Sequence, residues 1–257
     1  MKKIVLLFAI TATLFACKDV DEDEVVTTNY NMTFNFTQNW DGEEITNPDY
    51  QTTVYTNANG EELTISKLDY LISNITFTDE DGEKTVIEGY NIMNARDGVN
   101  TQYSPSRKIP EGEYTVSFTF GFDDEDNIDG AYPELNSNPW SWGVPEMLGG
   151  GYHFMRLEGM FADNTGTQTP YLYHAIRAAT VIGENPETED TSFETELGTV
   201  TISQDTTIEI KMNVAEWFKN PNEWDLKELN SNLMMNAEAQ RMISANGKSV
   251  FSLGTVE

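Results

Sequence analysis

Tyr114-Thr115-Val116-Ser117-Phe118-Thr119-Phe120-Gly121-Phe122 is the stretch of this sequence that most clearly determines the fold. Apolar and polar residues alternate along it with a period of two, which places the large side chains on one face of an extended strand. Residues 109–112, Ile-Pro-Glu-Gly, come just before it and carry the proline and glycine of a turn. The pattern therefore predicts a long β-strand with one buried face.

Similar alternation recurs on both sides of this strand. It predicts further strands over residues 32–36, 68–77, 86–93, 152–161, 170–179, 197–202 and 207–213. The last two are expected to form a hairpin. Helical patterns are confined to the C-terminal part, over residues 214–219 and from an N-cap at Ser231 to residue 245. This organisation predicts an all-β fold, an antiparallel β-sandwich of immunoglobulin-like or Greek-key character with short C-terminal helices.

The N-terminus has the layout of a bacterial lipoprotein signal. Lys2 and Lys3 precede an apolar run over residues 4–14, which is too short to span a membrane. Leu14-Phe15-Ala16-Cys17 ends the run and resembles a lipobox, in which the cysteine receives the lipid. An ordinary signal peptide with a stray cysteine is the alternative. Cys17 is the only cysteine in the chain, so a lipid attachment point explains it better than a disulfide does.

The domain organisation follows from this N-terminus. We expect a signal peptide at residues 1–16, a lipidated Cys17 with an acidic, disordered tether over 17–28, and a single domain over 29–257. The acidic residues after Cys17 also resemble the surface-export tag of Bacteroidetes lipoproteins. We therefore expect a lipoprotein anchored in the outer membrane through its N-terminal lipid, facing either the periplasm or the cell surface.

Composition excludes some classes of partner and activity. The chain carries 43 Asp and Glu against 15 Lys and Arg, a net charge of −28. Such a charge repels nucleic acid, so we expect no nucleic-acid partner. The sequence contains no G-x-S-x-G, no H-E-x-x-H, no phosphate-binding glycine loop and no cysteine besides Cys17. We therefore expect a protein that is not an enzyme.

The order of several motifs resembles that of the MbnP family. Besides the opening strand, the motifs are Lys67-Leu68-Asp69-Tyr70-Leu71-Ile72-Ser73-Asn74-Ile75, Trp140-Ser141-Trp142, Gly-Tyr-His-Phe-Met-Arg-Leu-Glu-Gly at 151–159, and Ala-Gln-Arg-Met-Ile-Ser-Ala-Asn-Gly at 239–247. The resemblance covers most of residues 30–252, and the lipoprotein members from Bacteroidetes are the most similar. It implies a mainly β, periplasmic or surface-located protein that is associated with copper.

His153 and His174, the only histidines in the chain, lie within these motifs. If their strands pair antiparallel, both imidazoles lie on the same side of a sheet. His174 shares strand parity with Leu172 and Ile176 and is expected to face the apolar side. Imidazole nitrogens suit copper, and the thioether of Met147 in the preceding loop is a candidate third ligand. The alternative is a pair of hydrogen-bonded core histidines.

Trp140 and Trp142 lie in the loop before His153. In methanotroph members of the MbnP family, a partner di-haem enzyme of the MbnH type oxidises a tryptophan to kynurenine. The resemblance therefore implies a di-haem cytochrome c peroxidase of that type as a partner and marks both tryptophans for oxidation. The alternative is that both serve only in packing.

A second cluster of polar residues follows the opening strand. Asp123, Asp124, Asp126 and Asp129 are close together, with oxygen atoms of the kind that calcium prefers. Their spacing does not match an EF-hand loop, because Ile128 stands where an oxygen ligand is required. A solvated acidic loop is the alternative, and calcium is a second candidate cofactor.

Together these features predict a membrane-anchored, copper-binding and non-catalytic protein of the MbnP type. The alternative is a surface lipoprotein that binds a glycan or a protein through its aromatic loops and holds no metal. The two hypotheses differ in the expected surroundings of the side chains. A metal site requires the imidazoles to be adjacent, whereas the alternative requires exposed tryptophans and histidines that bond to the backbone.

Overall fold

The computed structural model describes residues 27–257. The expected signal peptide, Cys17 and residues 17–26 of the tether lie outside the described residues. Within residues 27–257, no helix is long and apolar enough to cross a membrane.

Strands dominate the secondary structure. Within residues 27–257 they are β1 Asn29–Tyr30, β2 Met32–Trp40, β3 Glu43–Glu44, β4 Tyr55–Thr56, β5 Glu62–Thr78, β6 Lys84–Asn94, β7 Gln102–Tyr103, β8 Ile109–Pro110, β9 Gly112–Phe120, β10 Met155–Ala162, β11 Gln168–Ala175, β12 Ala178–Val181, β13 Glu187–Glu189, β14 Phe193–Ile202, β15 Thr206–Asn213 and β16 Phe251–Val256. The α-helices are α1 Pro133–Asn136 and α2 Ala237–Gly247. The 3-10 turns are Asn47–Asp49, Glu146–Leu148, Val214–Phe218 and Leu233–Met235.

Two larger sheets form a sandwich. The seven-stranded sheet has the order β11-β10-β5-β9-β14, with β4 and β6 also paired to β5. The five-stranded sheet has the order β16-β15-β2-β3, with β7 also paired to β2. Strand pairing is antiparallel in both sheets except between β2 and β15, which run parallel. The predicted all-β, sandwich-like fold is confirmed.

The main core lies between the inner faces of these two sheets. Alternate residues of β2 and β9 are buried there, as the period-two pattern predicts. Aromatic rings fill much of the space: Phe120 stacks on Phe193 with ring centroids 5.0 Å apart, and Phe118 meets Phe251 edge-on at 5.1 Å. Phe118 and Phe120 come from the stretch that determines the fold, so that stretch also supplies the centre of the core.

The predicted hairpin of the two strands after residue 193 is wrong. β14 pairs with β9 in the seven-stranded sheet, whereas β15 pairs with β2 and β16 in the five-stranded sheet. The short turn between them carries the chain from one sheet to the other. Asp205 fixes this crossing, because its carboxylate accepts a hydrogen bond from the backbone N–H of Asn31 at 2.8 Å. Both strands keep a buried face, so alternation alone did not distinguish a hairpin from a crossover.

The C-terminal region differs in detail from the prediction. α2 begins at Ala237 and not after Ser231, because the side chain of Asn236 accepts the N–H of Ala239 at 3.1 Å and caps the helix. The expected helix at 214–219 is the 3-10 turn Val214–Phe218. The last strand, β16, was not predicted, and it completes the edge of the five-stranded sheet.

The pairing of β5, β10 and β11 positions the candidate site. Arg156 lies between Asp69 on β5 and His174 on β11, and Glu158 lies in the same way between Lys67 and Leu172. These residues share the outer face of the sheet. A bulge follows Glu158 at a glycine whose added Cβ would lie 1.8 Å from the carbonyl oxygen of Thr64, so only glycine permits this close strand approach.

Candidate functional site

His174 lies on the outer face of the sheet and not on its core face. Tyr171 and Tyr173 occupy the core face of β11, where both are fully buried. Leu172 has the same parity as His174 and is 41% exposed. The expectation that His174 faces the apolar side is therefore wrong, because the two tyrosines supply the buried face of this edge strand.

His153 lies just before β10 and is buried, with 4% of its surface exposed. Its backbone N–H donates to the carbonyl oxygen of Trp142 at 3.0 Å, and its ring Nδ1 lies 2.9 Å from the same oxygen. A carbonyl oxygen only accepts, so the proton of the neutral ring is assigned to Nδ1. Nε2 then carries the lone pair, and within residues 27–257 no group is hydrogen-bonded to it.

The two imidazoles are neighbours on the same side of the sheet. The ring centroids of His153 and His174 are 5.5 Å apart, and the ring planes are inclined by 78°. Nε2 of His174 lies 3.0 Å from Oε1 of Glu158. Because a carboxylate accepts, Nε2 carries a proton and Nδ1 is the ring nitrogen that has no hydrogen-bond partner in the described chain. The predicted proximity of the imidazoles is confirmed.

The electrostatic environment keeps His153 neutral. Burial lowers the pKa of this imidazole well below its ordinary value, and the nearby Arg156 guanidinium lowers it further. Glu158 behaves oppositely, since the hydrogen bond from His174 lowers the pKa of its carboxyl and favours the carboxylate. The pair of rings therefore offers a deprotonated nitrogen on His153 and an anionic partner beneath His174.

Arg156 joins the tryptophan loop to the histidines. Its guanidinium donates to the carbonyl oxygens of Trp140 at 3.2 Å and Ser141 at 2.5 Å. Its Cζ lies 4.7 Å from the ring centroid of Trp142, in a cation–π contact. Its Nη2 is also 3.3 Å from Nδ1 of His153, but both nitrogens carry hydrogen in the assigned tautomer, so this approach is a contact and not a hydrogen bond. Arg156 therefore holds the loop that supplies the carbonyl partner of His153, a role that the sequence patterns did not reveal.

The two tryptophans differ in exposure. Trp142 is fully buried, with its ring 5.7 Å from that of His153, and its Nε1 has no hydrogen-bond partner in the described part of the chain. Trp140 is half-buried and meets Trp142 edge-on at 6.5 Å. Trp142 belongs to a second apolar cluster, on the outer face of the seven-stranded sheet, with Leu71, Phe122 and other residues. Packing is thus one role of Trp142.

Gln240 of α2 holds the end of β11 in place. This fully buried side chain donates to the carbonyl oxygens of His174 at 2.9 Å and Leu233 at 3.0 Å. Its Oε1 accepts the N–H of Ile176 at 2.9 Å. Gln240 therefore satisfies the backbone on both sides of residue 175 where the strand ends. A polar residue within the apolar stripe of α2 was the sequence signal that could have found it.

Met147 is less favourably placed than the histidines. It lies in the 3-10 turn Glu146–Leu148, is 49% exposed, and has a carbonyl oxygen that accepts the N–H of Gly183. Its sulfur forms no hydrogen bond to either imidazole within residues 27–257. The structure thus brings His153 and His174 together, and within residues 27–257 no hydrogen bond joins Met147 to either ring.

The acidic loop uses its carboxylates within the fold. Asp123 accepts the N–H of Asp126 at 3.0 Å, and Asp126 accepts the side-chain amide of Asn74 at 3.0 Å. Asp124 pairs with Arg177, and Asp129 accepts the N–H of Gly151 at 3.4 Å. Among the residues that the structure describes, no group of three or more His, Cys, Asp or Glu side chains is arranged to hold a metal ion.

Comparison with known proteins gives two matches. A family model described as MbnP matches residues 29–235. Among solved structures, MbnP from Methylosinus trichosporium aligns with a TM-score of 0.51 and 12% sequence identity, and the alignment covers 78% of this chain and 80% of that chain. At this identity the structural likeness concerns the fold alone. No curated protein matches the chain.

Proposed function

This chain belongs to the MbnP family, and from that premise we propose that it is a membrane-anchored, non-catalytic protein that binds copper between His153 and His174. The observation that carries the proposal is the contact between the two imidazoles, whose ring centroids are 5.5 Å apart. Bonds from a metal ion to an imidazole nitrogen are ~2 Å long, so rings at this separation are close enough to share one ion.

The donor set suits copper. Nε2 of His153 and Nδ1 of His174 are the ring nitrogens that hydrogen bonding leaves available. Their partners, a backbone carbonyl and a carboxylate, are the groups that usually orient metal-binding imidazoles. Neutral imidazole is a good copper ligand, and Cu(I) is stable with few ligands of this type. Bound copper would supply one-electron redox chemistry or a store of the ion.

The surroundings of the side chains favour this proposal over an aromatic recognition loop without a metal. That alternative requires an exposed Trp140–Trp142 pair, but Trp142 is fully buried. It also requires each histidine to be bonded to the backbone. Only His153 is bonded in this way, whereas His174 is bonded to the carboxylate of Glu158.

Lipidation at Cys17 and attachment to the outer membrane belong to the same proposal. The support is the lipobox-like tetrapeptide that ends at the only cysteine in the chain. Labelling with a radioactive fatty acid would test it: label should enter the wild-type protein and be absent from the Cys17→Ala variant. Equal labelling of both proteins would contradict lipidation at this residue.

A di-haem peroxidase partner is also proposed. Trp140 is half-buried and accessible at the surface, and Trp142 lies beneath it against His153. Tryptic mass spectrometry of protein produced with and without such a peroxidase would test the proposal. Oxygen added to Trp140 or Trp142 only in its presence supports the partnership, and unmodified tryptophans in both samples contradict it.

Copper binding is tested by competition with a Cu(I) chelator. The wild-type soluble domain, residues 18–257, is compared with single His153→Ala and His174→Ala variants and with the double variant. Each single substitution should weaken Cu(I) binding at least tenfold, and the double variant should not compete. Met147→Ala is the control for a thioether ligand. Circular dichroism checks folding, and unchanged affinity in folded single variants would overturn the proposal.

A further inference from the structure

A cleft of about 440 Å³ opens on the outer surface, in front of the second apolar cluster. Tyr90, Trp140 and Glu134 are among the residues that line it. Neither histidine of the copper site lines it. The cleft is therefore a separate feature, and its volume is in the range of small-molecule sites.

Two asparagines give the cleft fixed hydrogen-bond acceptors. Asn91 is only 7% exposed, and its Nδ2 donates to the carbonyl oxygen of Asn100 at 3.0 Å. Asn100 in turn donates from Nδ2 to the carbonyl oxygen of Ile92 at 2.9 Å. Both amide groups are thereby oriented. Their Oδ1 atoms accept no hydrogen bond from any residue within 27–257. Asn100 is an exposed residue and neither oxygen is enclosed by the protein, so both are oriented amide oxygens that a donor from a ligand can reach.

The remaining groups define the charge that the cleft accepts. The hydroxyl of Tyr90 donates to Glu134, and this hydrogen bond lowers the pKa of the Glu134 carboxyl. Within the described chain, no lysine or arginine lines the cleft. An anionic ligand would therefore meet a carboxylate without a compensating cation, in a protein whose net charge is −28.

We propose that this cleft binds a neutral saccharide. Sugar hydroxyls are the donors that the Oδ1 atoms of Asn91 and Asn100 lack, and Glu134 retains a second carboxylate oxygen as a further acceptor. The C–H faces of a pyranose ring pack on aromatic faces such as those of Tyr90 and Trp140. The exposed Asn138, which also lines the cleft, supplies an amide donor for a ring or hydroxyl oxygen. The inference goes beyond copper binding and does not depend on it.

The test uses the soluble domain, residues 18–257, with four neutral trisaccharides: maltotriose, cellotriose, xylotriose and triacetylchitotriose. Binding is followed by calorimetry and by ¹H–¹⁵N NMR shifts. At least one trisaccharide should bind and shift the side-chain amides of Asn91, Asn100 and Asn138. The anionic trigalacturonic acid should not bind. Absence of binding by all four neutral probes would overturn the proposal.

Substitutions of lining residues test whether the saccharide binds in this cleft. Trp140→Ala and Asn138→Ala should each weaken it at least fivefold, while Trp140→Phe should restore part of the affinity by returning a ring. Tyr30→Ala, in β1 and away from the cleft, is the matched control for loss of a half-buried aromatic ring. Because the Asn138 side chain is exposed and forms no hydrogen bond within residues 27–257, its variant tests the site even if Trp140→Ala does not fold. Affinity unchanged by Asn138→Ala and Trp140→Phe alike would contradict the assignment.

Discussion

Nε2 of His174 lies 3.0 Å from Oε1 of Glu158, its diagonal neighbour on the adjacent strand. The carboxylate fixes which ring nitrogen of His174 carries the proton and which one remains available. It receives a second charge contact from Lys67 at 3.6 Å. A pair of this kind is typical of metal-binding histidines, where the partner of the ring affects affinity nearly as much as the ligand itself.

Glu158 should therefore influence copper affinity without binding copper. We expect Glu158→Ala to weaken Cu(I) binding by about 10- to 100-fold, because the ring of His174 loses the acceptor that orients it. Glu158→Gln retains a carbonyl acceptor and should keep most of the affinity. The measurement is competition with a Cu(I) chelator, with the exposed Glu223→Ala as the charge-matched control. Equal affinity for Glu158→Ala and the control would show that this contact does not orient the ring.

Arg156 should contribute to stability through its geometry as well as its charge. Arg156→Lys keeps the charge but cannot donate to both Trp140 and Ser141 while covering the ring of Trp142. We expect a loss of about 1–3 kcal/mol in the free energy of unfolding, measured by urea denaturation. Arg241→Lys is the control, since its ion pairs are exposed and contribute less than about 1 kcal/mol. A loss of stability no larger than that of the control would contradict this role of Arg156.

Asp69 should make stability depend on pH. Burial raises the pKa of this carboxyl to about 6, only partly opposed by Lys67 and Arg156, and its Oδ1 has no hydrogen-bond partner in the described chain. The folded protein therefore binds the Asp69 proton more tightly than the unfolded chain does. The resulting contribution to stability is complete below the ordinary aspartate pKa and is lost as pH rises through about 6.

The Asp69→Asn variant removes this titration. Relative to wild type, it should gain up to about 3 kcal/mol of stability between pH 4 and pH 7.5, as judged from the size of the pKa shift. Urea denaturation at several pH values measures the difference. The exposed Asp163 has a carboxyl pKa that hydrogen bonds from Thr165 lower, so the stability of Asp163→Asn relative to wild type should change with the opposite sign, and mainly below the ordinary aspartate pKa of 3.8. If the stability difference between Asp69→Asn and wild type does not change with pH, the raised pKa of the Asp69 carboxyl is contradicted.

Periodicity predicted the strands of the core well because those strands bury one face each. Met32, Phe34 and Phe36 show this on β2, as does the opening stretch on β9. The same rule failed at His174. On the edge strand β11, the apolar Leu172 lies on the outer face. The core face carries Tyr171 and Tyr173, whose hydroxyls donate to the backbone carbonyl oxygens of Thr64 and Trp217. Because tyrosine is both aromatic and polar, the hydrophobicity pattern did not identify these two residues as buried, and the prediction assigned the wrong face of β11 to the core.

The candidate site could be predicted only in part. The proximity of His153 and His174 followed from the antiparallel pairing of β10 with β11, two strands that a short loop connects. The roles of Arg156 and Gln240 did not follow, because they bond to backbone carbonyls of segments that are distant in sequence. Such partners are fixed by the tertiary structure and leave no periodic signal. The start of α2 was likewise missed, because the sequence pattern favoured Ser231 as the N-cap, whereas Asn236 caps the helix.

The tautomers of the two histidines provide the most direct test of copper binding at this site. Long-range ¹H–¹⁵N NMR of ¹⁵N-histidine-labelled protein resolves all four ring nitrogens before and after one equivalent of Cu(I) is added without oxygen. The structure predicts that Nε2 of His153 and Nδ1 of His174 shift together, while Nδ1 of His153 and Nε2 of His174 keep their protons. Histidine spectra that do not change with Cu(I) would contradict the proposed function.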